Sequence, residues 1–160
     1  MNWSAAHIHL LVNHLPILGA PFVLLVLAWG FLTRSRDVTR LGFWLMVPLA
    51  LAGFLADQTG DSAKHQLRDA SWIERPLVHE HEERADDTVV VFYIVGALGA
   101  LALWRRRSHP DERWPVGVAA IALAVATLLA AWTGLAGGFI RHDEVRPAPT
   151  APGGAGAVTP

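Results

Sequence analysis

The chain contains no cysteine, and this absence excludes several kinds of site at once. Disulfides, thiolate metal centres, cysteine-ligated iron–sulfur clusters and covalently attached c-type haem all need thiols. Any metal would therefore be held by histidine, carboxylate or carbonyl groups. The formal net charge at pH 7 is only −1, so the charge balance gives no reason to expect a nucleic-acid partner.

Charged residues are also scarce, at 17% of the chain, whereas 52% of the residues are hydrophobic and the mean hydropathy is +0.34. A composition this apolar predicts an integral membrane protein. The sequence has no glycine-rich phosphate loop, no Gly-x-Ser-x-Gly elbow and no His-Glu-x-x-His helix, which mark common enzyme classes. Whether the protein is an enzyme stays open.

Four apolar segments are long enough to cross a membrane once the neighbouring polar turns are included. The predicted spans cover about residues 8–33, 40–60, 86–104 and 114–140. They predict an all-α fold, an antiparallel four-helix transmembrane bundle, as one domain over residues 1–146. The first six residues lack Lys and Arg, so we expect a retained first helix rather than a signal peptide. The Pro/Gly/Ala-rich tail, 147–160, is predicted to be disordered.

The distribution of basic residues predicts an orientation. Seven of the 13 lie in the two short links between spans, namely Arg34, Arg36, Arg40, Arg105, Arg106, Arg107 and Arg113. The long link, 57–87, carries nine acidic residues and only four basic ones. The positive-inside rule therefore puts the short links in the cytoplasm, with both termini and the long link outside. We expect a multi-pass protein of the bacterial inner membrane, with the lipid bilayer as its first partner.

With this topology, seven of the eight histidines gather at the outer face of the bundle. They are His7, His9, His14, His65, His79, His81 and His142. Antiparallel helices bring these ends within reach of one another. Histidine is costly in hydrocarbon, so a functional role is the default hypothesis.

The first span supplies the leading candidate, His14, two residues before Pro16. Proline removes a backbone hydrogen bond and can kink a helix, which would open room for a ligand. His7 lies on nearly the same face, two turns away, and is a second candidate. His9 lies on a different face and is interpreted as an interfacial residue. The alternative for all three is a place in the headgroup layer or a hydrogen bond to a neighbouring helix.

The second span ends in a polar run that has two readings. If the helix continues, Asp57, Asp61 and His65 form a stripe at i, i+4 and i+8 that suits a metal. If Gly60 stops the helix, the stripe does not form and Asp61 caps a new helix.

The third and fourth spans add further candidates. His79 and Glu82 share a helical face at a spacing that suits a metal, although a solvated charged turn is the alternative. Gly134 and Gly138 make a smooth surface on the fourth span. That surface allows either close helix packing or the approach of a flat cofactor.

Several motifs resemble an uncharacterised bacterial family of small four-span integral membrane proteins. They are His-x-His-Leu-Leu-Val-Asn-His-Leu-Pro-Ile at 7–17, Asp-Gln-Thr-Gly at 57–60, His-Glu at 81–82 and Gly-Gly-Phe-Ile-Arg-His at 137–142. The resemblance covers about residues 5–146 and implies a four-helix membrane fold, with no established activity. It suggests four positions to watch: His14, His65, His81 and His142.

The sequence thus predicts a His-rich site at the periplasmic face that binds b-type haem, or a divalent metal such as Fe, Cu or Zn. The favoured role is electron transfer to a periplasmic redox protein or a quinone. The candidate haem ligands are His14, His142, His65 and His81. The candidate metal ligands are His7, His14, Asp57, Asp61, His65, His79, Glu82 and His142.

Besides a pH sensor, which clustered histidines would suit because they titrate near neutrality, two alternatives remain open from the sequence. The first is a non-redox accessory protein that binds a divalent cation at a mixed histidine and carboxylate site. The second is a structural subunit or assembly factor of an oligomer or a larger membrane complex, in which the histidines only hydrogen-bond between helices.

Overall fold

The computed structural model describes residues 3–146, and this part of the chain is built of helices without any β-strand. The α-helices are α1 (Ala5–Val12), α2 (His14–Leu32), α3 (Arg36–Gln66), α4 (Arg75–Arg105) and α5 (Trp114–Arg141), and a 3-10 turn follows at Asp143–Val145. The all-α prediction is therefore confirmed. The tail predicted to be disordered, 147–160, lies outside the described residues.

Four helices are long and apolar enough to cross a membrane. They are the combined α1 and α2, with 28 residues, then α3 and α4, with 31 residues each, and α5, with 28. A helix of that length spans about 42–46 Å, more than the roughly 30 Å of hydrocarbon in a bilayer. Many large apolar side chains face outward, among them Leu11, Leu18, Leu25, Ile121 and Leu128. Length, composition and surface together indicate a membrane protein.

The first membrane helix has one gap in its hydrogen-bond pattern, next to Pro16. α1 ends at Val12 and α2 begins at His14, but Asn13 between them keeps helical backbone angles. Its N–H donates to His9 O at 2.9 Å, and its carbonyl accepts from Ile17 N at 3.4 Å. The missing bond is the one to the carbonyl of Val12, because Pro16 has no N–H to donate. The span therefore continues through Asn13, from Ala5 to Leu32.

The four long helices form a closed ring in which each packs on two neighbours. The first helix, through α2, packs on α3 and α5, and α4 packs on the same two helices from the opposite side. Buried residues recur at alternating steps of four and three along α2 and α4, as in other helix bundles. The largest fully buried side chains are Phe43, Phe92, Leu27, Met46, Leu123 and Val95.

One end of the bundle, which we call the arginine end, contains the links 33–35 and 106–113. Here α2 ends with Arg34 in the left-handed conformation, at φ 54°. The backbone N–H of Ser35 donates to Gly30 O at 3.0 Å and that of Arg34 to Phe31 O at 3.4 Å, which is a Schellman motif. Arg36 pairs with Asp111 across the two links.

The other end, which we call the histidine end, contains residues 5–13, 56–85 and 133–146. α3 runs without a stop through Gly60 to Gln66, so of the two readings of this segment the continuous helix is the one observed. Asp57, Asp61 and His65 therefore follow one another at single-helix spacing.

Candidate functional site

His9 projects from α1 towards α3, where it is held by a backbone carbonyl. Its Nδ1 lies 3.0 Å from Ala56 O and 3.3 Å from Thr59 Oγ1. A carbonyl oxygen only accepts hydrogen bonds, so the proton lies on Nδ1 and the lone pair of the neutral ring lies on Nε2. The ring lies against Gly60, where a Cβ would come within 3.2 Å of His9 Cε1. Glycine therefore makes room for the imidazole.

His81 is held in the same way on the opposite side of the bundle. It projects from α4 towards α5, and its Nδ1 donates to Thr133 O at 3.0 Å. A Cβ at Gly137 would lie 3.0 Å from His81 Cε1 and 3.2 Å from its Nδ1. The tautomer argument applies again, so Nε2 of His81 also carries a free lone pair.

The two arrangements share one plan, which we call the histidine clamp: an imidazole, a carbonyl acceptor, and a glycine four residues after that carbonyl. The carbonyl and glycine are Ala56 and Gly60 in one clamp, and Thr133 and Gly137 in the other. Residues four apart lie on the same helical face. Each clamp thus uses one face of a helix to orient a histidine from the helix beside it.

The clamps present their two imidazoles to each other. The ring centroids of His9 and His81 are 6.4 Å apart and the ring planes meet at 75°. Both rings are partly buried, and within residues 3–146 neither Nε2 has a hydrogen-bond partner. Two imidazoles with free lone pairs therefore lie near one another from helices on opposite sides of the bundle.

Two of the helices around the pair, α1 and α5, do not pack extensively on each other. α1 packs on α3 but not extensively on α5, whereas α2 packs on both. A Cβ at Gly138 of α5 would meet nothing within 4 Å. Asn13, one turn after His9, has a buried side-chain oxygen without a partner among the described residues. The space between α1 and α5 is therefore an open side of the site.

The other histidines predicted as ligands lie at the rim rather than in the interior. His14 shares an outward face with Leu11 and Leu18, and its ring bonds the carbonyl of Leu10 on its own helix. His7 Nδ1 lies 2.6 Å from Ser4 Oγ, within the cap of α1. The structure does not bring either ring to the His9–His81 pair.

The remaining predicted histidines are likewise exposed. His65 lies on the outer surface of α3, and His79 Nε2 is 3.3 Å from Glu83 on its own helix. His142 Nδ1 is 2.9 Å from Glu144 Oε1. The Glu144 carboxyl accepts a hydrogen bond from the backbone N–H of Glu144 and another from the His142 ring. Both hydrogen bonds lower the pKa of this carboxyl.

The predicted carboxylate ligands are engaged elsewhere or exposed. Glu82 pairs with Lys64, Asp57 accepts a hydrogen bond from Gln58 at 3.1 Å, and Asp61 is exposed. In the part of the chain that the structure describes, no group of three or more His, Asp or Glu side chains converges as a metal site.

Sequence reasoning assigned His81 to the site but not its partner, His9. The register of the buried residues relates the two histidines, but it becomes visible only once the structure shows which residues are buried. His9 lies seven residues before the buried Pro16, and His81 lies seven before the buried Thr88. Gly60 and Gly137 lie seven residues after the buried Gly53 and Ala130; each clamp residue is thus one heptad beyond a buried position.

No family model, no curated protein and no solved structure matches this chain. The resemblance to a family of four-span bacterial membrane proteins therefore stays a prediction, and the function has to be argued from the site itself.

Proposed function

We propose that the protein binds b-type haem between His9 and His81 and transfers single electrons. The observation that carries this proposal is the pair of facing imidazoles, each with Nδ1 on a backbone carbonyl and Nε2 free. A hydrogen bond from Nδ1–H fixes the tautomer and raises the basicity of the ligating nitrogen, as the outer partners of metal-bound histidines commonly do.

The separation of the rings fits one metal between them. A metal–nitrogen bond is about 2.0–2.1 Å, and the ring centroid lies about 1 Å beyond the nitrogen, so two opposed imidazoles on one ion have centroids about 6 Å apart. The observed separation is 6.4 Å. The centroid separation is therefore compatible with one ion bound by both rings.

Haem is favoured over a bare cation because the two histidines lack further ligands. A haem supplies four equatorial nitrogens itself and needs two axial groups from the protein. A bare Zn²⁺ or Cu²⁺ usually needs three or four protein ligands, and no such group converges in residues 3–146. The open side between α1 and α5 provides a route for the edge of a flat macrocycle.

We further propose that the histidine end faces the periplasm and the arginine end the cytoplasm, in an antiparallel bundle within the bacterial inner membrane. The seven arginines of the short links support this orientation through the positive-inside rule. Haem, when bound, would supply one-electron redox chemistry, and His9 and His81 would hold it. The candidate partner that receives the electrons is a periplasmic redox protein, which takes one at a time, or a quinone, which needs two successive one-electron transfers.

The test uses the full chain, purified from membranes of cells that make haem. We expect a Soret band, about one haem per chain by pyridine haemochrome, and low-spin spectra. His9→Ala or His81→Ala should lower haem content at least about tenfold, because removing even an outer partner of a ligand costs ten- to a hundredfold in affinity. His14→Ala and His142→Ala are the matched controls and should keep their haem.

Far-UV circular dichroism of each variant separates loss of haem from loss of fold. Wild-type protein without a Soret band would rule out the proposal, as would a His9→Ala variant that keeps low-spin haem. Colourless protein that holds zinc or copper would favour a metal-handling accessory protein. Protein that binds neither and misassembles when His9 is replaced would favour a structural subunit.

A further inference from the structure

Gly60 and Gly137 touch the two imidazoles but neither has a side chain that could bind a ligand. Their effect on the site comes from the space that they leave. At Gly137 a Cβ would lie 3.0 Å from His81 Cε1, and at Gly60 it would lie 3.2 Å from His9 Cε1. Both distances are shorter than ordinary van der Waals contact, so an added methyl group would require each ring to shift by a few tenths of an ångström.

The carbonyl and the glycine of each clamp fix the rotation of the ring as well as its position. Nδ1 is hydrogen-bonded to a carbonyl on the adjacent helix, and the ring occupies the space next to that bond that the glycine leaves free. With both constraints in place, the planes of His9 and His81 stand at 75°. The orientation of each ring is thus set by a different helix, α3 for His9 and α5 for His81.

We infer that Gly60 and Gly137 are positioning residues that hold the axial imidazoles nearly perpendicular, and that this angle sets the electronic structure of the bound iron. This inference rests on the proposed haem binding. Each imidazole raises the energy of the iron d orbital with which its π system overlaps. Two parallel rings both raise the energy of the same d orbital, so the two π-type d orbitals differ in energy. Two perpendicular rings each raise the energy of a different one, so the two orbitals stay nearly equal in energy.

The consequence is visible in the electron paramagnetic resonance spectrum of the oxidised protein. When the two d orbitals have nearly equal energies, the low-spin iron gives a highly anisotropic signal with a single large g value. When their energies differ, it gives a rhombic spectrum with three resolved g values. The 75° angle therefore predicts the anisotropic signal for the wild-type protein. A merely structural glycine would leave this signal unchanged.

The experiment compares wild type, Gly137→Ala and Gly60→Ala, with Gly117→Ala at the arginine end of α5 as the matched control. In Gly137→Ala we expect the signal to move towards the rhombic form and the reduction potential to shift, with haem still bound. Gly60→Ala should show the same change to a smaller extent, because its added Cβ would lie 3.2 Å from the ring of His9, whereas that of Gly137→Ala would lie 3.0 Å from the ring of His81. Gly117→Ala adds the same methyl group where it meets nothing within 4 Å, outside the site, and should match the wild type.

The results distinguish failure of this inference from failure of the haem proposal. Wild-type protein that binds haem but gives a rhombic spectrum would overturn the inference and leave haem binding intact. The same holds if both clamp variants keep the wild-type signal. Wild-type protein without haem would overturn both. Because the wild-type spectrum is decisive by itself, a clamp variant that fails to fold does not remove the test.

Discussion

The two ends of the bundle differ in how closely their helices pack and in the polar groups that lie between them. At the arginine end, a Cβ added to Gly30 would lie 2.7 Å from the backbone nitrogen of Thr39, so α2 and α3 are in direct contact there. Leu27 and Phe43 are fully buried beside them. At the histidine end, two partly buried imidazoles lie near each other, and within residues 3–146 their Nε2 atoms and the buried side-chain oxygen of Asn13 have no hydrogen-bond partner.

This difference indicates a division of roles between the two ends. Dense packing and satisfied polar groups stabilise a fold, whereas unsatisfied polar groups in the interior are costly and are expected where a site needs them. We therefore expect changes at the arginine end to alter stability without altering the site. Changes in the clamps should alter the site with less effect on stability.

The largest effect on stability is expected from Phe43→Ala at the arginine end. The side chain is fully buried, so its removal leaves a cavity and should cost about 3–5 kcal/mol of unfolding free energy. Denaturant titration in detergent, followed by circular dichroism, measures this cost. The haem-to-protein ratio and the oxidised spectrum of the folded fraction should be unchanged. A variant as stable as wild type, or one with an altered spectrum, would contradict the division of roles.

A smaller loss of unfolding free energy is expected from Gly30→Ala. The added Cβ would meet the backbone of Thr39, which cannot move aside as a flexible side chain can. Overpacking of this kind costs about 1–3 kcal/mol. The matched control is Gly117→Ala at the same end, where an added methyl group meets nothing within 4 Å. That variant should be neutral, or more stable by up to about 1 kcal/mol through helix propensity. Equal stability of the two variants would argue against close packing at this end.

The smallest effect concerns pH and the ion pair between Arg105 and Glu112, whose Nε and Oε2 atoms are 2.5 Å apart. The hydrogen bond from Arg105 lowers the pKa of the Glu112 carboxyl. A lowered pKa in the folded state means that the pair stabilises the fold at neutral pH and that this contribution is lost as pH falls through the folded-state pKa.

Glu112→Gln should therefore lose less stability than wild type between pH 6 and about pH 3, because it has no carboxylate to protonate. Thermal midpoints measured across that range test this expectation. The effect should be small because both groups are partly exposed. Identical pH profiles would show that the pair does not stabilise the arginine end.

The sequence predicted the broad architecture because that information is local. A long apolar run predicts a membrane helix wherever it occurs, and the four runs gave four such helices. The boundaries were less accurate. The third span was predicted to begin at about residue 86, whereas α4 already begins at Arg75 and includes polar residues such as Glu80 and Glu83. The second span was predicted to end at about residue 60, whereas α3 continues to Gln66. A helix that leaves the membrane gains polar residues without having to end.

Local sequence patterns could not show which of the histidines face the interior of the bundle. In a span that is apolar on all sides, hydrophobicity does not distinguish the inward face from the outward one. His7 and His9 are only two residues apart, yet a separation of two residues turns a side chain by about 200° around the helix. Pro16 drew attention to His14, but that ring lies with Leu11 and Leu18 on the outward face.

The sequence by itself therefore determined that this is a helical protein with membrane-spanning segments, that any metal would be bound without thiolates, and that most histidines belong to the polar ends of its helices. Only the tertiary structure decided which of them meet. The carbonyls of Ala56 and Thr133 and the glycines four residues beyond them hold His9 and His81 in place. Those contacts join residues 47 and 52 positions apart, and such distances close only when the helices pack.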